Sequence, residues 1–176
     1  MAESTPAVSV LFVCLGNHCR SPAARAVAET MLAGRTFARF DSAGTGRSHA
    51  GQPAHPLTVT EGAHRGYRVN QRGRQIHPDD FAIYDLVVAM DGHNIEDLAR
   101  MRGGVDLRSG HYRTVEPVQV VKLRRWDPYA MPGDDDVPDP WGGTPADYRQ
   151  MFDTLERCMP PLLDHLEWLH REHPGD

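Results

Sequence analysis

A chain of 176 residues carries enough material for one domain whose core needs no disulfide or metal support. Its hydrophobic content of 40%, charged content of 24% and formal net charge of -5 are ordinary for a soluble globular protein, and give nucleic acid or an anionic membrane little to hold. Three cysteines, with no charged leader and long apolar stretch ahead of them, point to reducing cytosol, and no apolar run reaches the length of a membrane span.

Residues 1–7 are expected to form a loose tail ahead of a single domain over residues 8–173. Val8 to Val13 is a short β-branched and aromatic run, the pattern of a strand buried on both faces of a parallel sheet. The Ala-rich segment from Pro22 to Ala33 predicts a first helix, with Ser21 as N-cap, Pro22 at the first helical position and an end near Gly34. Phe37 to Ala43 predicts a second strand. It runs into Asp41-Ser42-Ala43-Gly44-Thr45-Gly46, whose glycines do not make a dinucleotide fingerprint because the third glycine position holds His49.

Pro56 to about Gly66 reads as a polar helix, and His77-Pro78-Asp79-Asp80 as a short helical turn. An apolar strand follows over Leu86 to Met90, then a helix from Ile95 to about Met101, with Asp91 at the strand's end as the candidate to begin it. Val118 to Leu123 is the fourth strand. Pro145 to about His170 is the closing helix, capped by Thr144 and expected to kink or divide at Pro160-Pro161. Four strands alternating with helices predict an α/β fold, one three-layer domain with a four-stranded parallel sheet covered on both faces. Ligands in such sheets bind at the carboxyl ends of the strands, which gathers Cys14, Ser42, Asp91 and the segment after strand four on one edge.

The loop from Cys14 to Arg20 lies between a strand end and a helix start. Backbone N–H groups there lack intrahelical partners and the helix dipole is positive, so a dianionic phosphate is the natural guest of Leu15, Gly16, Asn17, His18, Cys19, Arg20 and Ser21. Gly16 and Asn17 are the residue types that accept positive φ and let such a loop curl. A helix N-terminus and the Arg20 guanidinium favour the thiolate form of a cysteine placed at position 14, and the planar Arg20 fork suits two phosphate oxygens.

Cys14-x5-Arg20-Ser21-Pro22 near the N-terminus resembles the low-molecular-weight protein tyrosine phosphatases. The resemblance extends to Asp41-Ser42-Ala43-Gly44-Thr45, to Met90-Asp91 and to Asp139-Pro140-Trp141 leading into the last helix. It implies metal-independent hydrolysis of protein phosphotyrosine without a cofactor, by an enzyme expected to be a cytoplasmic monomer or weak dimer. Cys14 would be the nucleophile, Arg20 the phosphate clamp, and Ser42 a support that reaches the loop through Asn17. Ser21 could donate to the thiolate. A cysteine phosphatase also needs a proton donor for its leaving oxygen. Asp127-Pro128-Tyr129 and Asp139-Pro140-Trp141 compete for that role. Asp139 is preferred, because it sits shortly before the last helix as the family's Asp-Pro-aromatic motif does, with Trp141 able to stack on an aryl phosphate.

The departures from the family pattern cluster at the pocket mouth. His18 replaces an apolar residue or a threonine and admits three readings: an outward loop residue, a polar lining, or a titrating group. Ser48 falls where many relatives carry a tryptophan, and Gln71 aligns with a frequent histidine. Cys19 is either a buried side chain beneath the loop or a partner for a reversible disulfide with Cys14. Cys158 reads as core, and His165, His170 and His173 as a solvated helix end rather than a metal site. Protein arginine phosphatase, arsenate reductase and a non-catalytic phosphate-binding module are the rival readings; arsenate reduction lacks its relay cysteines between Ile76 and Gly104. Lys122 is the chain's one lysine, and its sequence context assigns it no role.

Overall fold

In the computed structural model the apolar run near the N-terminus is strand β1 (Val8–Cys14), flanked on both sides by parallel strands. The structure describes residues 7–103 and 118–172. The tail expected over residues 1–7 therefore lies outside the described residues except for Ala7, as do the domain end at 173 and His173.

Helix α1 (Arg20–Leu32) follows β1, then β2 (Ala38–Gly44), α2 (Pro56–His64), the single turn α3 (Asp80–Ile83), β3 (Leu86–Ala89), α4 (Gly92–Gly103) and β4 (Gln119–Lys122). A 3-10 turn (Leu123–Trp126) leads into a long irregular segment and then α5 (Pro145–Glu172). The strand order is β2-β1-β3-β4, all parallel, with Cys14 in register with Gly44 and Val13 with Ala89. The chain builds outward from β1 first to one side and then to the other. The carboxyl ends of β1 and β3 thus bound a topological switch point, where the connections diverge and leave a crevice.

Alternation along β1 divides the core. Val10, Phe12 and Cys14 face α1 and α5, while Leu11 and Val13 face Leu98 of α4. Helix α1 lies close to the sheet and to α5 because it buries small residues: Ala23, Ala24, Ala26, Val27 and Ala28 are all nearly inaccessible.

Three expectations need correction. Helix α1 starts at Arg20 with Cys19 as N-cap, so Ser21 and Pro22 occupy the second and third helical positions. The Ser21 hydroxyl is engaged by Cys14 and Asn17 instead of a backbone N–H, and proline is tolerated anywhere in a first turn. Helix α4 starts at Gly92, three residues earlier than its apolar pattern suggests, with Asp91 at its start as expected. Asp91 Oδ1 accepts from the Asn94 N–H at 2.8 Å and Asn94 Oδ1 accepts from the Asp91 N–H at 3.2 Å, a reciprocal cap. Of the two outcomes expected at Pro160-Pro161, division does not occur, and α5 runs through the pair as one helix. An interior proline costs roughly 3 kcal/mol, and Met159, Leu162, Leu163 and Leu166, buried around the pair, return about 1.5–3 kcal/mol each. At its start, Asp147 accepts from both the N–H and the hydroxyl of Thr144, so Thr144 holds the expected cap position.

Candidate active site

The loop leaving β1 is pinned from behind by Asn17. This residue is in the left-handed region at φ 49°, as its type allows, whereas Gly16 is not at positive φ. Space at Gly16 is tight instead: a Cβ there would lie 3.0 Å from His49 Cδ2, so a side chain would press on the His49 ring. Asn17 Nδ2 donates to Ser21 Oγ at 2.9 Å and to Ser42 Oγ at 2.8 Å, and its Oδ1 accepts from the Arg74 N–H at 2.9 Å. Gln71 donates to the same Ser42 hydroxyl, and Arg25 in turn donates to Gln71.

Several of the loop's carbonyls are likewise taken. Cys14, Leu15 and His18 accept from the N–H groups of Thr45, Gly46 and His55 at 2.9, 2.8 and 2.8 Å. The N–H groups of Leu15 to Cys19, by contrast, donate to no protein acceptor among the described residues. Nearly all buried backbone donors are paired in folded proteins, and a run of free N–H groups around one cysteine is an arrangement that can receive an anion.

Cys14 is buried at the floor, with its Sγ 3.0 Å from Ser21 Oγ. Arg20 is buried beside it. Its Nη1 donates to Asp91 Oδ2 at 2.6 Å and to the Val137 carbonyl at 2.9 Å, and its Nη2 lies 3.4 Å from Asp139 Oδ2. Burial works against the Arg20 charge, but Cys14, Asp139 and Asp91 outweigh it and hold the guanidinium protonated. With Nη1 tied to the scaffold, the Nε and Nη2 edge remains for an incoming anion.

A cleft of about 310 Å³ opens above these groups. It is lined by Cys14, Leu15, Gly16, His18, Cys19 and Arg20, by Gly46, Ser48 and His49 of the loop after β2, and by Asp139 and Trp141. Asn17, Ser21 and Ser42 stand behind the loop. His18 faces the cleft rather than pointing away, stacked on His49 at 3.8 Å between ring centroids, with His55 edge-on at 5.3 Å. Burial first, then the proximity of His49, lowers the pKa of both His18 and His55.

The two Asp-Pro aspartates occupy different environments. The Asp127 carboxylate is fully buried, accepting from Arg124 at 2.9 Å, from Arg157 at 3.1 and 3.2 Å, and from the Tyr129 N–H at 3.0 Å. Burial raises its pKa, but the bonds from Arg157, Tyr129 and Arg124 prevail and leave it at about 2. Asp139 is half-exposed at the cleft, with its Oδ1 accepting from the Trp141 N–H at 3.1 Å.

A family model for low molecular weight phosphotyrosine protein phosphatases matches residues 9–173. The chain belongs to this family. It is therefore a phosphatase, a hydrolase. A low molecular weight protein-tyrosine-phosphatase of Streptomyces coelicolor is 34% identical, over 88% of this chain and 90% of the relative. A protein tyrosine phosphatase of Entamoeba histolytica, crystallised with Hepes in its active site, superimposes with a TM-score of 0.79 at 30% identity, covering 92% of this chain and 98% of that one. An arginine phosphatase of Drosophila superimposes with a TM-score of 0.77 at 25% identity, covering 89% of this chain and 96% of that one.

Within this phosphatase, all three cysteines are free thiols. Cys19 lies against Tyr148 Oη at 3.6 Å, and burial pushes its thiol up to about 11. Cys158 is in the core as expected. His165 packs against Trp126 and Trp168. No helix among the described residues is long and apolar enough to cross a membrane. Sequence reading placed Asp91 on the right edge without finding its bond to Arg20, and gave no site role to Val137, His49 or His55. A carboxylate at a strand end on the same sheet edge as a buried arginine was the available signal for Asp91; the others had none.

Proposed function

We propose that this phosphatase hydrolyses protein phosphotyrosine through a phosphocysteine intermediate, with all of the chemistry supplied by side chains and loop N–H groups. The observation that carries the reading is the ring of unpaired N–H groups around Cys14, closed on one side by the Arg20 fork. In the first step the Cys14 thiolate attacks phosphorus and the bond to the tyrosine oxygen breaks. Arg20 and the loop N–H groups stabilise the equatorial oxygens, and Asp139 gives its proton to the departing phenolate. In the second step Asp139, now a carboxylate, takes a proton from water as that water attacks phosphorus. The S–P bond breaks, phosphate leaves, and the Ser21 hydroxyl donates to the returning thiolate. The long Arg20–Asp139 contact gives way when phosphate enters. The free thiols suit a reducing compartment, in keeping with the expected cytoplasmic location.

A second reading, protein phosphoarginine as substrate, is supported by the polar lining of His18, His49 and Ser48 and by the similarity to the Drosophila enzyme. Phosphotyrosine is preferred because Leu15 and Trp141, both more than half exposed, offer apolar surface to an aryl ring at the rim. The test is kcat/KM on phosphotyrosine and phosphoarginine peptides for wild type, Cys14→Ser and Asp139→Asn between about pH 4 and pH 9. Phosphotyrosine turnover abolished by Cys14→Ser supports the proposal. A preference for phosphoarginine would move the substrate and keep the chemistry, and wild-type silence on both would leave a binding module.

A further inference from the structure

We propose that Lys122 is a positioning residue for the proton donor: by tying Asp135 and Asp136 to the end of β4, beside the start of α4, it sets where Asp139 stands relative to Arg20 and Cys14. The inference rests on the reading of Asp139 as that donor.

Lys122 ends β4, on the same sheet edge as Cys14 and Asp91. Its Nζ donates to Asp135 Oδ1 at 2.6 Å and to Asp136 Oδ1 at 2.9 Å. The same Asp136 oxygen accepts from the Gly92 N–H at 3.0 Å, and Gly92 adjoins Asp91, the carboxylate that holds Arg20. One residue on, Val137 is fully buried; its N–H donates to the Met90 carbonyl at 2.7 Å and its own carbonyl accepts from Arg20. Pro138, Asp139 and Pro140 follow. Each proline fixes its own φ and restricts the residue before it, so Val137 and Asp139 are both confined to extended backbone. A rigid three-residue lever thus runs from the clamp to the Asp139 carboxyl.

Charge gives the clamp its purpose. Asp134, Asp135, Asp136 and Asp139 crowd one short segment, with Asp91 close by through Arg20. Among the described residues, the cations paired with them are Arg124 on Asp134, Lys122 on Asp135 and Asp136, and Arg20 on Asp91 and Asp139. Without Lys122, Asp135 and Asp136 repel each other and their neighbours, and only the bonds of Gly92, Met90, Arg20 and Arg124 hold the segment, so Asp139 shifts slightly. Both carboxylates are about half exposed, so their ion pairs contribute little to stability. Losing them shifts the acid without unfolding the protein.

The experiment compares kcat/KM for wild type, Lys122→Met, Lys122→Arg and Asp139→Asn on aryl phosphates whose phenols range from strongly acidic (dinitrophenyl) to weakly acidic (phenyl). This constant reports cleavage of the P–O bond, where a poor leaving group needs the proton and a good one does not. A small displacement of a catalytic group costs up to about a hundredfold. Lys122→Met is expected to lose about three- to tenfold on phenyl phosphate and less than about twofold on dinitrophenyl phosphate. Lys122→Arg should recover most of that loss, and Asp139→Asn should show the same pattern more steeply. If Asp139→Asn shows the leaving-group dependence and Lys122→Met loses equally on every substrate, or on none, the positioning role is refuted. If Asp139→Asn itself shows no such dependence, the assignment of the proton donor falls, and the inference with it.

Discussion

Replacing Asp127 by asparagine tests the proposed division of roles, with Asp127 structural and Asp139 the acid. The carboxylate is fully buried between Arg124 and Arg157 and has a pKa of about 2 against an ordinary 3.8. A carboxyl whose folded pKa lies below its unfolded one stabilises the fold above the unfolded value and loses that contribution as pH falls through the folded value. The depression corresponds to about 2 kcal/mol at neutral pH. Arg124 keeps Asp134 and the Asp136 carbonyl, and Arg157 is partly solvated, so the stranded guanidinium groups add little. Asp127→Asn should therefore lower the unfolding free energy in urea by about 2–3 kcal/mol at pH 7, and thermal stability by roughly 5–10 °C. The difference from wild type should shrink as pH falls from about 4 toward 2. At saturating substrate, and at a temperature where the variant is folded, kcat should match wild type. Unchanged stability together with a leaving-group-dependent loss of activity would refute the assignment and give Asp127 the role argued for Asp139.

Gly44→Ala should disable the site while the sheet survives: its Cβ would lie 2.8 Å from the Leu15 carbonyl oxygen and 2.9 Å from the Asn17 nitrogen. We expect kcat/KM on an aryl phosphate to fall by about a hundredfold, with oxyanion inhibition weakened in parallel, since backbone must shift to admit the methyl; near-normal inhibition would contradict it. His49→Gln should raise the pKa of both His18 and His55, because His49 lowers both, and an NMR titration of the imidazole protons reads this directly. If neither moves, the stack does not couple their charges. Because both values are depressed in the wild type, the two rings stabilise the fold above about pH 6.5 and that contribution fades below it, less steeply in the variant.

The parts of the fold legible in the sequence are those whose cause is local. An apolar run, a Gly-Asn loop and an alanine-rich helix specify β1, the cradle and α1 within their own residues, and Asp139-Pro140-Trp141 announces itself beside a helix start. What brings these pieces together is not local. Arg20 meets Asp91 and the Val137 carbonyl across sequence separations of 71 and 117 residues, and nothing near any of them encodes the pairing. The imidazoles of His18, His49 and His55 meet only because β2 pairs with β1 and brings the following loop over the cradle. A serine before proline at a helix start usually serves the backbone, whereas the Ser21 hydroxyl faces Cys14 and Asn17, a tertiary choice its neighbours in the chain do not encode. The unbroken α5 shows tertiary burial overriding a local rule, with a leucine-rich stripe outweighing two prolines.

The most direct test of the central claim is an acid quench of wild type, Cys14→Ser and Asp139→Asn during turnover of a phosphotyrosine peptide, followed by mass spectrometry of the intact chain and its peptides. The account predicts one phosphoryl group on Cys14 in wild type and Asp139→Asn, and none in Cys14→Ser. Turnover by wild type with phosphate on another residue would contradict it.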